Sequence, residues 1–319
     1  WESTYVYDIA SRLRKVLLET TRAEVVMTTR EPVVGWEVPD RDRLPDRKTR
    51  VLLTDPPYRL TDPVAGVNLR WYLANAVLRR AGPGGKPIPP ERTVFLSLHA
   101  DSLHPSVRGA MAYVPGERFL RSSYGRATPF YRSFREVRDE PVVSFTKKER
   151  VLAEGASTAL AEKLIGAFRR RNLPVHQFRP VRTHVIRSGR EWVPAVLRYN
   201  KIPNRVLFEV ANLSNEGDRA LTLTRAFRQS SAEALAEGLL AFFGGPNEAE
   251  TGAGRPVASP VTSPSAVASF TQEGAADPPV VGPWPEIAGP WPLSAGRGPV
   301  AVRPTPTPKP GPRPSRRRR

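Results

Sequence analysis

The sequence has no cysteine, 2 methionines and 4 histidines among its 319 residues. Without thiols neither a disulfide framework nor a thiolate metal site can form, so any metal must be held by His, Asp or Glu. A cysteine-free chain is at home on either side of a membrane, which leaves the redox compartment open. No run of about 18 apolar residues occurs, and the first residues lack the basic, apolar and small-residue order of a signal peptide. Neither a transmembrane segment nor an address is visible. The chain also opens without Met, inside a helix-like pattern, so its natural N-terminus is expected upstream.

Hydrophobic residues make up 39% of the chain, enough for one large domain or two small ones with cores of their own. The formal net charge of +18 predicts attraction to polyanions: nucleic acid, anionic lipid, or a cell wall rich in carboxylate and phosphate. Charge alone does not choose among them, and a solvated arginine-rich surface is the simpler explanation.

The composition changes at Gly244. Residues 244–319 hold 17 of the 35 prolines, with Gly, Ala, Ser and Thr filling most of the rest. Such a segment cannot bury enough apolar surface to offset its ordering entropy, so a disordered tail is expected there, following a folded domain over residues 1–243. Alternating prolines from Pro304 to Pro314 read as a polyproline spacer, and the chain closes on Arg316 to Arg319. Gly282 and Gly289 each open a GPWP repeat, whose Trp284 and Trp291 are candidate docking residues. The tail's nine Lys or Arg against five Asp or Glu give it +4 of the +18, so most of the basic character belongs to the body.

Within the body, helical and extended patterns alternate. Tyr5, Ile9, Leu13 and Val16/Leu17 form a helical stripe, followed by the β-branched run Glu24–Thr28 as a strand. Leu69, Leu73 and Val77 mark a second helix, and Thr93–Leu98 a nearly continuous apolar strand of the kind buried on both faces. Leu160, Leu164 and Phe168 mark a third helix, and Val206–Val210 another strand. A last helix is expected from Ser230, where SSAE has the form of a capping box. The stretches 31–66 and 103–147 fit this rhythm poorly and read as loops or insertions. The whole predicts an α/β fold: a mixed, mostly parallel sheet flanked by helices.

Ligands of open α/β sheets gather beyond the carboxyl ends of strands, and His99 and Glu209 fall near two such ends. A histidine after a buried strand is more often a hydrogen-bonded structural residue. Glu209 is more pointed, because a carboxylate inside Val-Leu-Phe-Glu-Val is costly to bury unless paired or bound. Facing water at a strand edge is its ordinary alternative. Glu2 stands at the start of the first helix, where the helix dipole alone favours a carboxylate.

Taken together, the segments around these residues resemble the zinc-dependent N-acetylmuramoyl-L-alanine amidases of the cell wall. Glu2 to Leu18 (ESTYVYDIASRLRKVLL) is similar to the family's helix that follows the second zinc ligand, and Val25–Arg30 (VVMTTR) to its next strand. Leu69–Asn75 (LRWYLAN) resembles the helix leading to the histidine strand, and Phe95–Ser102 (FLSLHADS) the motif of the third ligand, with Arg108–Val114 (RGAMAYV) after it. Pro203–Asn215 (PNRVLFEVANLSN) resembles the strand that carries the catalytic glutamate. These matches are collinear over about two hundred residues.

The resemblance implies zinc held by two histidines and a glutamate, with a position open for water; the metal acidifies the water and polarises the scissile carbonyl. His99 and Glu2 would be metal ligands, and Glu209 the general base. The first ligand of the family, a His in a Gly-His-Gly loop ahead of the Glu helix, has no counterpart here, and an N-terminal truncation of the sequence is the expected reason. His104, His176 and His184 do not hold its place in chain order and are expected to be non-ligands. The implied substrate is peptidoglycan, cut at the amide joining muramic acid to L-alanine. The implied location is the cell envelope, periplasmic or extracellular, with cell-wall or divisome activator proteins as partners and no nucleic acid. A rival of another class is a non-catalytic peptidoglycan-binding or scaffolding protein, which would keep the fold without competent zinc. Nucleic-acid binding draws on charge alone and lacks a reading motif.

Overall fold

The run VLFEV lies in the middle of the sheet that organises this chain. In the computed structural model, residues 2–244 are described, apart from 48, 81, 83, 84 and 188. The elements in the first half are α1 (Glu2–Thr20), β1 (Thr29–Arg30), β2 (Val51–Leu52), β3 (Tyr58–Arg59), α2 (Pro63–Leu78), β4 (Val94–Asp101), β5 (Met111–Tyr113), β6 (Ser123–Gly125), α3 (Pro129–Arg132), α4 (Arg135–Asp139) and β7 (Val142–Ser144). Then come α5 (Lys147–Arg170), β8 (Val181–Arg182), β9 (Val185–Arg187), β10 (Arg190–Trp192), α6 (Ala195–Arg198), β11 (Asn204–Asn212), α7 (Glu216–Leu223) and α8 (Arg225–Phe242). The tail expected over 244–319 lies, from residue 245 onward, outside the described residues.

The fold is mixed α/β. Its four-stranded sheet runs β4-β11-β5-β8, with β4 parallel to β11, β11 antiparallel to β5, and β5 parallel to β8. All nine residues of β11 are buried, as its near-continuous apolar text requires. Val206, Phe208 and Val210 meet Leu160, Leu164 and Phe168 of α5, Leu235 of α8 and Ile9, Leu13 and Leu17 of α1 in one apolar core. On the opposite face Leu207, Met111, Tyr113 and Phe95 pack with Val196, Leu197 and Ile202. A third cluster, rich in aromatics, joins Trp71 and Tyr72 of α2 to Tyr131, Phe134 and Tyr199.

Local chemistry sets the helix boundaries. Asp62 caps α2 by accepting the Val64 N–H, with Pro63 in the first turn, where no intrahelical donor is needed. Thr146 and Glu149 form a capping box on α5. At Gly238 a Cβ would come within 2.8 Å of the Leu164 Cα, so this glycine lets α8 lie directly on α5. At Gly109 φ is +89° and a Cβ would stand 2.6 Å from the Val175 carbonyl carbon, which leaves glycine alone able to enter β5.

A buried ion cluster joins α1 to α8. Arg228, fully buried, donates Nε to Asp8 Oδ2 at 2.6 Å, and Arg12 donates Nε to the same oxygen at 2.7 Å. Arg228 also donates to the backbone carbonyls of Arg41, Asp42, Thr222 and Leu223, and Arg12 to the Pro39 carbonyl and the Gln229 carboxamide oxygen, so the loop before β2 is held by the same group.

Several sequence expectations need correction. Glu24–Thr28 forms no strand; only Thr29–Arg30 pairs, and it does so with β2, because no strand of the main sheet lies alongside the run. The last helix begins at Arg225 behind the cap Thr224, so Ser230 is interior and SSAE caps nothing. The helix α7 before it, capped by Asn215, was not anticipated. The strand of His99 extends to Asp101 and lies at an end of the sheet, where most of its residues are only partly buried. The stretch 103–147 is not merely loop, since it contributes β5 to the main sheet.

Candidate metal centre

The parallel pairing of β4 and β11 sets His99 opposite Glu209 in register. The first turn of α1 then brings Glu2 to the same place. Glu2 Oε1 stands 3.3 Å from His99 Nδ1 and accepts the Ala100 N–H, also at 3.3 Å. The two carboxylates and the imidazole thus converge from three elements although Glu2 and Ala100 are 98 positions apart.

That first turn is clamped from outside. Arg50 donates to the Ser3 carbonyl and to its Oγ, both at 2.6 Å, while Thr4 Oγ1 donates to Asp46 at 2.9 Å and Tyr5 OH accepts the Leu44 N–H at 3.2 Å. Leu44, Asp46 and Arg50, in a stretch read from the sequence as loop, thus hold the turn that carries Glu2.

The other end of the site is fastened by the asparagines of FEVANLSN. The Asn212 carboxamide oxygen accepts the N–H groups of Leu103 and Ser214, and its nitrogen donates to the carbonyls of His104 and Val107. Asn215 caps α7 and donates to the Pro105 carbonyl at 2.7 Å. Buried Asp218 takes the N–H groups of Gly109 at 2.6 Å and Asn212 at 3.0 Å. The loop after His99 is therefore pinned to the end of β11.

Glu209 is 8% exposed, and its Oε2 is buried with no hydrogen-bond partner among the described residues. Burial, then the negative charges of Asp101 and Glu2, push its pKa well above the ordinary carboxylate range. Burial also raises Asp101, whose carboxylate accepts the Ser102 N–H at 2.7 Å and the Tyr113 hydroxyl at 3.4 Å. The Tyr113 phenol is raised in turn, first by burial and then by Asp101 and Glu209. Three acidic groups share this small volume, and such crowding is relieved by a bound cation.

The donor pair fits zinc. Bonds of about 2.0–2.2 Å in a tetrahedral site put neighbouring ligand atoms roughly 3.3 Å apart, and Glu2 Oε1 and His99 Nδ1 stand at 3.3 Å. Among the described residues no third His, Cys, Asp or Glu completes a metal-holding group with them. The remaining histidines have other neighbours: His104 Nδ1 lies 2.8 Å from Ser106 Oγ, His184 Nε2 lies 3.3 Å from Glu191, and His176 sits beside Arg182.

Sequence reasoning gave no role to Asp101, Tyr113 or Arg182. The first two stood in quoted motifs, HADS and RGAMAYV, and their burial was the missing signal. Arg182 belongs to a two-residue strand that no periodicity can reveal.

Residues 88–241 match the model of the N-acetylmuramoyl-L-alanine amidase family. The span is just under half of the chain; it contains His99 and Glu209 and leaves Glu2 outside. No curated protein matches the chain. Among solved amidase structures, the chain is similar to Ami1 from Mycobacterium smegmatis at 18% identity, covering 76% of this chain and 77% of that one, with a TM-score of 0.44. For the catalytic domain of the amidase CwlV from Bacillus (Paenibacillus) polymyxa var. colistinus the values are 18%, 76%, 85% and 0.39. For the amidase CwlD from Clostridioides difficile, solved in complex with the GerS lipoprotein, they are 15%, 76%, 86% and 0.41.

Proposed function

We propose that the protein is a zinc-dependent N-acetylmuramoyl-L-alanine amidase that hydrolyses the amide between muramic acid and L-alanine in peptidoglycan, and that it works in the cell envelope. The observation that carries this reading is the meeting of Glu2 and His99 at ligand spacing beside the unpartnered carboxylate of Glu209. Glu2 and His99 are the ligands this chain supplies. When bound, zinc provides Lewis-acid polarisation of the scissile carbonyl and acidifies water.

The chain's own groups account for the rest. Glu209, with one oxygen uncommitted, takes the proton from the attacking water and delivers it to the departing amine of L-alanine. Asp101 and Glu2 make that proton easier to hold, since their charges oppose ionisation of Glu209. Asn212 and Asp218 keep the flanking loops from relaxing away from the two strand ends. The match over residues 88–241 supports the reaction class. Among the described residues no helix is long and apolar enough to cross a membrane.

The test separates the base from a ligand. In the native protein, Glu209→Gln is expected to lower the release of stem peptides from purified peptidoglycan by about 100- to 10,000-fold with zinc still bound. His99→Ala is expected to lose metal and activity together, because His99 is one of the two ligands this chain supplies and zinc is held far less well once a protein ligand is removed. Metal content by mass spectrometry and peptide release read the two outcomes. Near-normal hydrolysis by Glu209→Gln would remove the glutamate from this role.

A further inference from the structure

The strand β8 brings two more side chains to the edge of this site, and their donors face one another. Arg182 is the register partner of Tyr113, and Tyr113 is that of Leu207. Partners on adjacent strands project to one face, so Arg182 shares the face of Glu209 and His99. Its guanidinium leans back toward the start of β8: Nε donates to the Arg179 carbonyl at 3.2 Å, and Nη2 stands 3.3 Å from His176 Nε2.

His176 Nδ1 accepts the Phe178 N–H at 3.1 Å. Burial, then the charge of Arg182, lowers the pKa of this histidine, so the ring is neutral near pH 7. A neutral imidazole has one N–H, and with Nδ1 accepting, that proton belongs on Nε2. Nε2 of His176 and Nη2 of Arg182 are then two donors turned toward each other. Nη1 of Arg182 makes no hydrogen bond, and Arg182 no ion pair, among the described residues. The same guanidinium acts on the Asp101 carboxyl, which places its charge on the reaction-centre side. Converging donors of this kind call for an acceptor, and a carboxylate suits a guanidinium best.

We infer that Arg182 and His176 form a carboxylate-binding subsite at the β8 edge of the candidate centre, which takes one acidic group of the stem peptide. This rests on the amidase reading above. Two strand spacings of about 4.8 Å and two residues of about 3.3 Å separate Glu209 from Arg182, roughly 12 Å between their Cα atoms. At about 3.4 Å per residue, an acid one or two positions beyond the cut amide reaches the guanidinium. A single guanidinium with one neutral imidazole, both only partly buried, holds a free anion poorly in water. Attached to a peptide already anchored at the centre, the same carboxylate arrives at high effective concentration.

The test uses the native protein and two soluble muramoyl peptides that differ only in the acid of the residue after L-alanine, free in one and amidated in the other. The wild type is expected to favour the free acid by about 10- to 100-fold in kcat/KM, mostly through KM. Arg182→Gln is expected to bring the ratio toward one, while Arg182→Lys, which keeps the charge and loses the fork, retains part of it. If Arg182→Gln does not fold, the wild type and Arg182→Lys still carry the comparison. A wild-type ratio near one with brisk hydrolysis, or a ratio that survives in Arg182→Gln, overturns the subsite and leaves the amidase reading standing. Hydrolysis of neither peptide by the wild type would remove both.

Discussion

Val206, Phe208 and Val210 leave β11 on one side, and Arg205, Leu207 and Glu209 leave it on the other. Both sets are buried. The first packs against α1, α5 and α8 with no ionisable group among its members. The second contains two ionisable groups that burial opposes: Glu209, raised well above its ordinary range, and Arg205, pushed down to about 9 with Nη2 unpartnered among the described residues. One strand therefore has a face that favours folding and a face whose polar groups work against it. Polar groups persist in a hydrophobic wall at a cost in stability, which is the expected mark of a site rather than of a core.

Neighbouring substitutions on β11 sharpen this contrast. Phe208→Ala removes a fully buried ring that packs on Phe168 at 4.9 Å between centroids, and it should cost about 3–5 kcal/mol by denaturant unfolding. A loss below about 1 kcal/mol would show that the helical face is not the stabilising one. One residue on, Glu209→Gln should act in the opposite direction in metal-free protein, gaining about 1–3 kcal/mol at neutral pH by removing a buried, poorly satisfied carboxylate.

The sign of that gain depends on pH in a defined way. The folded-state pKa of Glu209 lies above the unfolded one, so the unfolded chain releases its proton first as pH rises. Stability then falls with pH between the two values, and the Gln variant lacks that slope. The two proteins should converge near pH 4 and separate above it; parallel curves from pH 4 to 8 would mean the carboxyl is not held in its protonated form. The smallest effect belongs to the tail. Deleting residues 245–319 should move the thermal midpoint by less than about 2 °C, since that composition supports no core of its own.

Much of the fold could be read from spacing, because α1, α2, α5 and β11 are long enough for their apolar periods to repeat several times. Short elements escaped: β8 has two residues, β5 three, and both join the sheet only through partners distant in sequence. Ser230 misled for the converse reason, since SSAE is a four-residue pattern that a longer helix can contain by chance. At the site, His99 and Glu209 stood inside motifs, and Glu2 was placed by order along the chain. The donors of Arg182 and His176 could not have been found this way. Their relation depends on a neutral ring whose other nitrogen is engaged by a backbone N–H, a fact of geometry with no sequence signature.

The link between Asp8 and Arg228 spans 220 positions and fixes the helix that begins with Glu2. During synthesis Arg228 leaves the ribosome long after α1. Until it does, Asp8 has only Arg12 of its own helix as a buried counter-ion, and α1 lacks the helix on which it packs. The meeting of Glu2 with His99 beside Glu209 is therefore completed late in the life of the nascent chain, when nearly the whole described domain has been translated.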